Sequence, residues 1–324
     1  MKVDWSTGDI PPLDGRTAIV TGGSGGVGYE VARQLAAHGA HVVLASRDEG
    51  RTGQAARSIR ATCPGASVEA IRLDLAELAS VGSFARAFAD HHGRLDILVN
   101  NAGISGGPRR ETRDGFEMLF QVNYLGHFAL TGLLLPLLNT RSHARVVTVS
   151  SDIAAAGQID FDDLQAIRRY GLVRTYAQSK LADLIFAIEL ERRARSAGAG
   201  LSSFATNPGI ARTDLFAAKS GDWGRSLTLQ ERLLRIVQMM LGRPAAVGAL
   251  PVLYQAIGPA ARASSYVVGA KWPKPPRPVV EAFPARACDP ATAARLWEIS
   301  VELTGVDYGE IAGAGFRGVA ASRA

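Results

Sequence analysis

The stretch that decides the fold is RTAIVTGGSGGVG, residues 16–28. Residues 16–21 are mostly apolar or β-branched and read as a short buried strand. The glycine cluster stops that strand, and Val27, Val31 and Leu35 then recur at helical spacing. Strand, glycine turn and helix in immediate succession bring backbone amides and a helix N-terminus to one point. Such a point accepts a pyrophosphate, because glycines tolerate positive φ and let phosphate oxygens approach the amide hydrogens. The spacing is T-G-x-x-x-G-x-G, not the usual G-x-G-x-x-G, and Gly22, Ser24, Gly26, Val27 and Gly28 are the candidate cofactor contacts. A plain tight turn would use the same glycines; the chain beyond the loop weighs against that reading.

Working outward, strands are predicted over 41–45, 67–72, 95–99, 145–149 and 201–206. Helices are predicted over 49–61, 78–91, 114–138 and 174–197. Short apolar strands alternating with helices specify a doubly wound α/β fold, a parallel sheet covered on both faces. No linker divides the first 210 residues, so 14–305 is read as one domain. Residues 214–245 break the alternation and are expected to form a small helical substrate cover, a mobile lid with Gly221 and Gly224 as hinges. WPKPPRP at 272–278 reads as extended, 286–304 as helical, and the Gly- and Ala-rich 306–324 as a mobile tail.

Composition sets the class. With 324 residues, 47% hydrophobic and 20% charged, the chain can bury a full core without a disulfide or metal staple. Cys63 and Cys288 form no C-x-x-C pair, so unpaired thiols in a cytoplasmic setting are expected. The net charge of +6 comes mostly from scattered arginines, so no nucleic-acid partner is expected. The first fifteen residues are polar, unlike a signal peptide. The apolar run Tyr124–Leu138 is short and interrupted, so no stable membrane span is expected. His91 and His92 are adjacent on a predicted helix and the other histidines show no ligand spacing, so no metal is expected. Asp160, Asp162 and Asp163 are read as capping a following helix.

The second strand tests the nucleotide reading. An acid at its tip would bind an adenosine ribose hydroxyl and repel a 2′-phosphate. Ser46 occupies that tip and Arg47 follows, which favours NADP; pairing of Arg47 with Asp48 or Glu49 is the alternative.

Tyr176 and Lys180 stand four apart on one face of a predicted helix. A free tyrosine titrates near pH 10, and a nearby ammonium lowers that value, so the pair can exchange a proton with a carbonyl or alcohol oxygen. The strand RVVTV ends in Ser150-Ser151, and Asn100-Asn101-Ala102-Gly103 ends the strand before it, both at the sheet edge that binds ligands. Asn123 lies within the long helix.

These motifs together resemble the short-chain dehydrogenase/reductase family over roughly residues 14–215. TGGSGGVG, Asp74-Leu75, NNAG, Asn123, Ser151, Y-x-x-x-K and Asn207-Pro208-Gly209 fall in the family's order. The resemblance implies a single-domain Rossmann fold and hydride transfer between a nicotinamide and a carbonyl or alcohol carbon. Tyr176 would be the acid/base, Lys180 would lower its pKa and hold the nicotinamide ribose, and Ser151 would orient the substrate oxygen. Asn123 would support a water-linked proton path toward Lys180. Asp74 and Leu75 would flank the adenine, Asn101, Ala102 and Gly103 would line the cofactor, and Pro208, Gly209, Ile210 and Thr213 would lie by the carboxamide. The 25 positions between Ser151 and Tyr176, with DFDDLQAIRRYGLVRTY among them, resemble the retinol dehydrogenase-like and protochlorophyllide reductase-like branch. Asn207 stands where many of that branch have histidine. The expected activity is NADP(H)-dependent interconversion of carbonyl and alcohol on an apolar small molecule, and a homo-oligomer is compatible with it. The alternative is a nucleotide-binding redox sensor of the same fold, against which the intact Tyr176 and Lys180 weigh.

Overall fold

The computed structural model describes residues 3–140, 143–209, 242–263, 265–270, 275–309 and 311. Ile210, Thr213 and all of the expected lid up to residue 241 lie outside these.

Eight strands form one sheet in the order β3-β2-β1-β4-β5-β6-β7-β8. They are β1 (Thr17–Thr21), β2 (His41–Ser46), β3 (Val68–Arg72), β4 (Ile97–Asn100), β5 (Ala144–Val149), β6 (Leu201–Asn207), β7 (Tyr266–Gly269) and β8 (Pro278–Glu281). All pairings are parallel except β7 with β8. The chain order reverses between β1 and β4, and a crevice opens there at the strands' C-terminal ends. β1 and β4 are buried at every position, which explains why their sequences are continuously apolar rather than alternating.

The helices are α1 (Gly26–Ala37), α2 (Glu49–Thr62), α3 (Leu78–His91), α4 (Met118–Leu138), α5 (Leu172–Ser196), α6 (Ala245–Ile257) and α7 (Pro290–Thr304). One core packs α3, α4, α5 and α7 on one face of the sheet; the other packs α1, α2 and α6 on the opposite face. The polar N-terminal segment is anchored too, for Trp5 meets Tyr254 edge-on at 5.7 Å.

Several expectations need correction. The helix predicted from 114 starts at Met118, because the Glu117 carboxylate caps it by accepting the Phe120 N–H at 2.7 Å. It also contains a π-helical turn, Gln121–Leu125, that periodicity does not reveal. Starting at Met118 makes it 21 residues long, sufficient by length and composition to cross a membrane, but 83% of its apolar window is buried inside the protein. The tail expected to be mobile begins as core: Val306, Tyr308 and Ile311 are buried, and the Tyr308 hydroxyl donates to the Phe128 carbonyl at 2.7 Å. The Asp163 carboxylate accepts the N–H groups of Ile167, Arg168 and Arg169, so it caps a turn, while Asp160 pairs with Arg174 on α5 at 2.6 Å. The residues after 265 supply two strands, the second antiparallel.

Folding also joins histidines that are far apart in sequence. His92 and His41 both reach Glu69 Oε1, at 2.7 and 3.2 Å, at the N-terminal ends of β2 and β3. Their ligand atoms are close enough to hold a metal ion. These hydrogen bonds, with that of His41 Nδ1 to the Ser67 hydroxyl at 2.7 Å, account for the cluster as it stands.

Candidate active site

Thr21, the last residue of β1, ties the two motif loops together. Its hydroxyl accepts the N–H groups of Asn101 and Ala102, each at 2.9 Å, and its carbonyl accepts the Asn101 amide at 2.8 Å. The glycine loop is thereby fixed against NNAG. Gly22 has φ +67°, and a Cβ on Gly28 would lie 2.6 Å from the Gly22 carbonyl oxygen, so neither position takes a side chain without a shift. Asn100, the other asparagine of the pair, is spent inside the fold, donating to Thr131 at 3.0 Å.

A cleft of about 590 Å³ runs along this edge of the sheet. Gly22, Ser24, Gly26, Val27 and Gly28 line it, as do Ser46, Arg47, Asp74, Leu75, Asn101, Ala102, Gly103, Ser151, Tyr176, Lys180, Pro208 and Gly209. At the end formed by the glycine loop and the tip of β2, the Ser24 and Ser46 hydroxyls meet at 3.3 Å. Sequence reading missed Arg51, which lines the same end. It stands one helical turn beyond Arg47, and Asp48 caps α2 between them by accepting the Arg51 N–H at 2.9 Å. The Asn207 side chain accepts the Gly209 N–H and donates to Asp152, both at 2.9 Å, holding the Pro208-Gly209 turn at φ +72°.

At the other end, β5 and α5 bring Ser151, Tyr176 and Lys180 together. Ser150 points inward, its hydroxyl donating to the Lys180 carbonyl at 2.7 Å, while Ser151 lines the cleft with Tyr176. The Lys180 ammonium donates to the Val149 carbonyl at 3.1 Å and to Asp183 Oδ2 at 2.9 Å.

Burial pushes the Tyr176 phenol above its usual value, and Lys180 and Ser151 pull it back without reversing the shift. The lowering expected from the ammonium alone is therefore not the net result, because burial outweighs it and Asp183 adds a smaller opposing charge. Burial on its own would lower Lys180, but Asp183 and Tyr176 outweigh it, so the ammonium stays charged. Asp183 was missed in the sequence, although it lies one turn beyond Lys180.

Asn123 does not line the cleft. Its Oδ1 accepts the Ile104 N–H at 2.8 Å, and its Nδ2 donates to the Ile104 carbonyl at 3.1 Å and the Ser179 hydroxyl at 3.0 Å. Both amide hydrogens are used, so Asn123 braces the loop after NNAG against α5. Its carbonyl is met by His127 Nδ1 at 2.8 Å.

A dinucleotide fits these residues. The loop offers backbone amides and a helix N-terminus, guanidinium groups stand at one end, and the tyrosine–lysine pair stands at the other. Fold and site together define a nicotinamide-dependent oxidoreductase of the Rossmann type acting on carbonyl or alcohol groups. The chain matches the short chain dehydrogenase family over residues 16–222 and belongs to it. It is similar to human retinol dehydrogenase 13, at 39% identity over 94% of this chain and 90% of that protein. Mouse polyprenol dehydrogenase is 38% identical over 96% of this chain and 90% of its own. Among solved structures, an uncharacterised protein from Mycobacterium paratuberculosis superposes with a TM-score of 0.76 at 36% identity, covering 94% of this chain and 99% of that one.

Proposed function

We propose that the chain is an NADP(H)-dependent oxidoreductase that interconverts a carbonyl and an alcohol on an apolar, retinoid- or polyprenol-like substrate. The observation that carries the reaction is that Ser151, Tyr176 and the buried Lys180 all open into the cleft of the glycine loop. A nicotinamide bound there supplies or accepts the hydride. In reduction, Tyr176 donates its phenolic proton to the oxygen that becomes an alkoxide, and Ser151 holds that oxygen in place. Lys180 stabilises the phenolate left behind. In oxidation the same phenol oxygen takes the proton back.

NADP preference is supported by Arg47 and Arg51 at the adenosine end and by Ser46 in place of an acid. The names of the relatives support an apolar substrate, as do Ile104, Val122, Ile153, Leu172 and Val173 along the cleft. The test compares kcat/KM with NADPH and NADH on retinoid and polyprenal carbonyls, for the wild type and Arg47→Ala. A lost charge-assisted phosphate contact costs about 1.5–3 kcal/mol, so Arg47→Ala weakens NADPH at least about tenfold and leaves NADH almost untouched. Tighter binding of NADH than NADPH by the wild type would reject the cofactor assignment.

A further inference from the structure

Lys180 has a partner that the family motif does not require. Asp183 sits three residues on along α5, and the two side chains are only 5% and 2% exposed with Nζ and Oδ2 2.9 Å apart. The second carboxylate oxygen, Oδ1, is buried and accepts no hydrogen bond among the described residues. Stability does not explain such a group. A buried ion pair rarely outperforms apolar side chains of the same size, and a carboxylate oxygen without a partner makes it worse. The pair shares α5 with the Tyr176 phenol, and both of its charges act on that phenol.

We propose that Asp183 is a positioning residue for the proton transfer: its carboxylate anchors the Lys180 ammonium inside the helix and tunes the charge that Tyr176 faces. This rests on the acid/base role of Tyr176 given above.

Among the described residues, few other groups near the pair titrate. Helix α4 turns Tyr124 and His127 toward the pair. Burial, with Asp183 adding to it, pushes the Tyr124 phenol up, and its hydroxyl is 2.7 Å from that of Ser300 on α7. Burial, with Lys180 adding to it, lowers His127 to about 4, so it stays neutral. Strand β5 contributes only the Val149 carbonyl to Lys180. Among the described residues, Asp183, Lys180 and Tyr176 therefore share the charge among themselves. Burial raises the Asp183 carboxyl to about 7, against the pull of Lys180. Below that pH the carboxyl is neutral and Tyr176 faces the ammonium alone; above it the carboxylate offsets the ammonium and holds the phenol up.

Removing the charge has a defined sign. In Asp183→Asn the Tyr176 phenol titrates lower, so the rising limb of alcohol oxidation against pH moves down by about half a unit to one unit. The variant and the wild type converge where the wild-type carboxyl is protonated and diverge where it is ionised.

The experiment records kcat/KM against pH for alcohol oxidation by both proteins with NADP, on the fastest alcohol of a retinoid and polyprenol panel. Alongside it, the tyrosinate absorbance of each cofactor-bound protein is titrated, with Tyr176→Phe subtracted. Asp183→Ala repeats both measurements without the amide. A downward shift in either readout that is confined to higher pH is the expected result. If the wild type turns over no alcohol in the panel, the functional reading fails, while the tyrosinate titration still decides the role of Asp183. Superimposable profiles and titrations overturn the proposal. So does failure of both variants to fold by circular dichroism, since the pair would then be structural.

Discussion

Two of the acid–base pairings along helix α5 lie a few residues apart and behave in opposite ways. Midway along it, Asp183 meets Lys180 in a dry interior, and burial raises the carboxyl. Near its end, Glu189 accepts from Arg192 at 2.7 Å and from Arg193 at 2.6 Å, with the Arg192 side chain 57% exposed. Burial alone would raise Glu189 as well, but the two guanidinium groups outweigh it and hold its carboxyl below the usual value. The spacing is of the same kind in both, so spacing does not decide the outcome. Access to water and the number of donors decide it. The first pairing tunes a reaction, and the second supports a helix.

The largest effect that tests this contrast is at the phenol. Tyr176→Phe should lower kcat by about 10²–10⁴-fold with cofactor affinity nearly intact, as measured by turnover and NADPH fluorescence titration. Wild-type turnover by that variant would remove the reaction from this end of the helix. Next comes Lys180→Met. It should cost at least about tenfold in kcat/KM and also weaken cofactor binding, with the rising limb of oxidation moving to higher pH as the ammonium is lost.

The remaining effects belong to stability. Glu189→Gln should destabilise the fold by about 1 kcal/mol at neutral pH, a value already reduced for the exposure of Arg192. A carboxyl held low in the folded state contributes stability above its unfolded value near 4.5 and loses it as pH falls through the folded value. Urea midpoints of the two proteins should therefore draw together in acid. Equal gaps at pH 7 and below pH 4 would break this half of the comparison. The smallest effect is Arg192→Ala, within about 0.5 kcal/mol, because Arg193 remains on the same carboxylate. A loss as large as that of Glu189→Gln would mean that Arg192 alone holds the carboxylate.

Much of this was legible in the sequence. The strand–glycine–helix unit at 16–28 announced the sheet and the cofactor end of the cleft, because glycine and β-branched residues act locally. The tyrosine and lysine were legible because helical spacing puts them on one face. What escaped depends on contacts between distant segments. That the Asn123 amide holds Ile104 and Ser179 is not visible in the sequence. Val306, Tyr308 and Ile311 are spaced among glycines like a loose tail, and only the groove between α4 and α7 shows that they are core. Asp183 looks like an ordinary polar residue of a long helix until the packing that dries it is known.

That groove has a consequence for the time course of folding. Tyr308 bonds the backbone of Phe128 across 180 positions, and Tyr124 bonds Ser300 across 176. Closing loops of that size costs entropy before any contact repays it, and contacts so distant in sequence slow folding. The aromatic cluster of Phe128, Phe186, Trp297 and Tyr308 therefore seals late. Until then the same helix whose early turn holds Asn123 exposes its apolar flank, so the half-folded chain is at its most adhesive just before the site is finished.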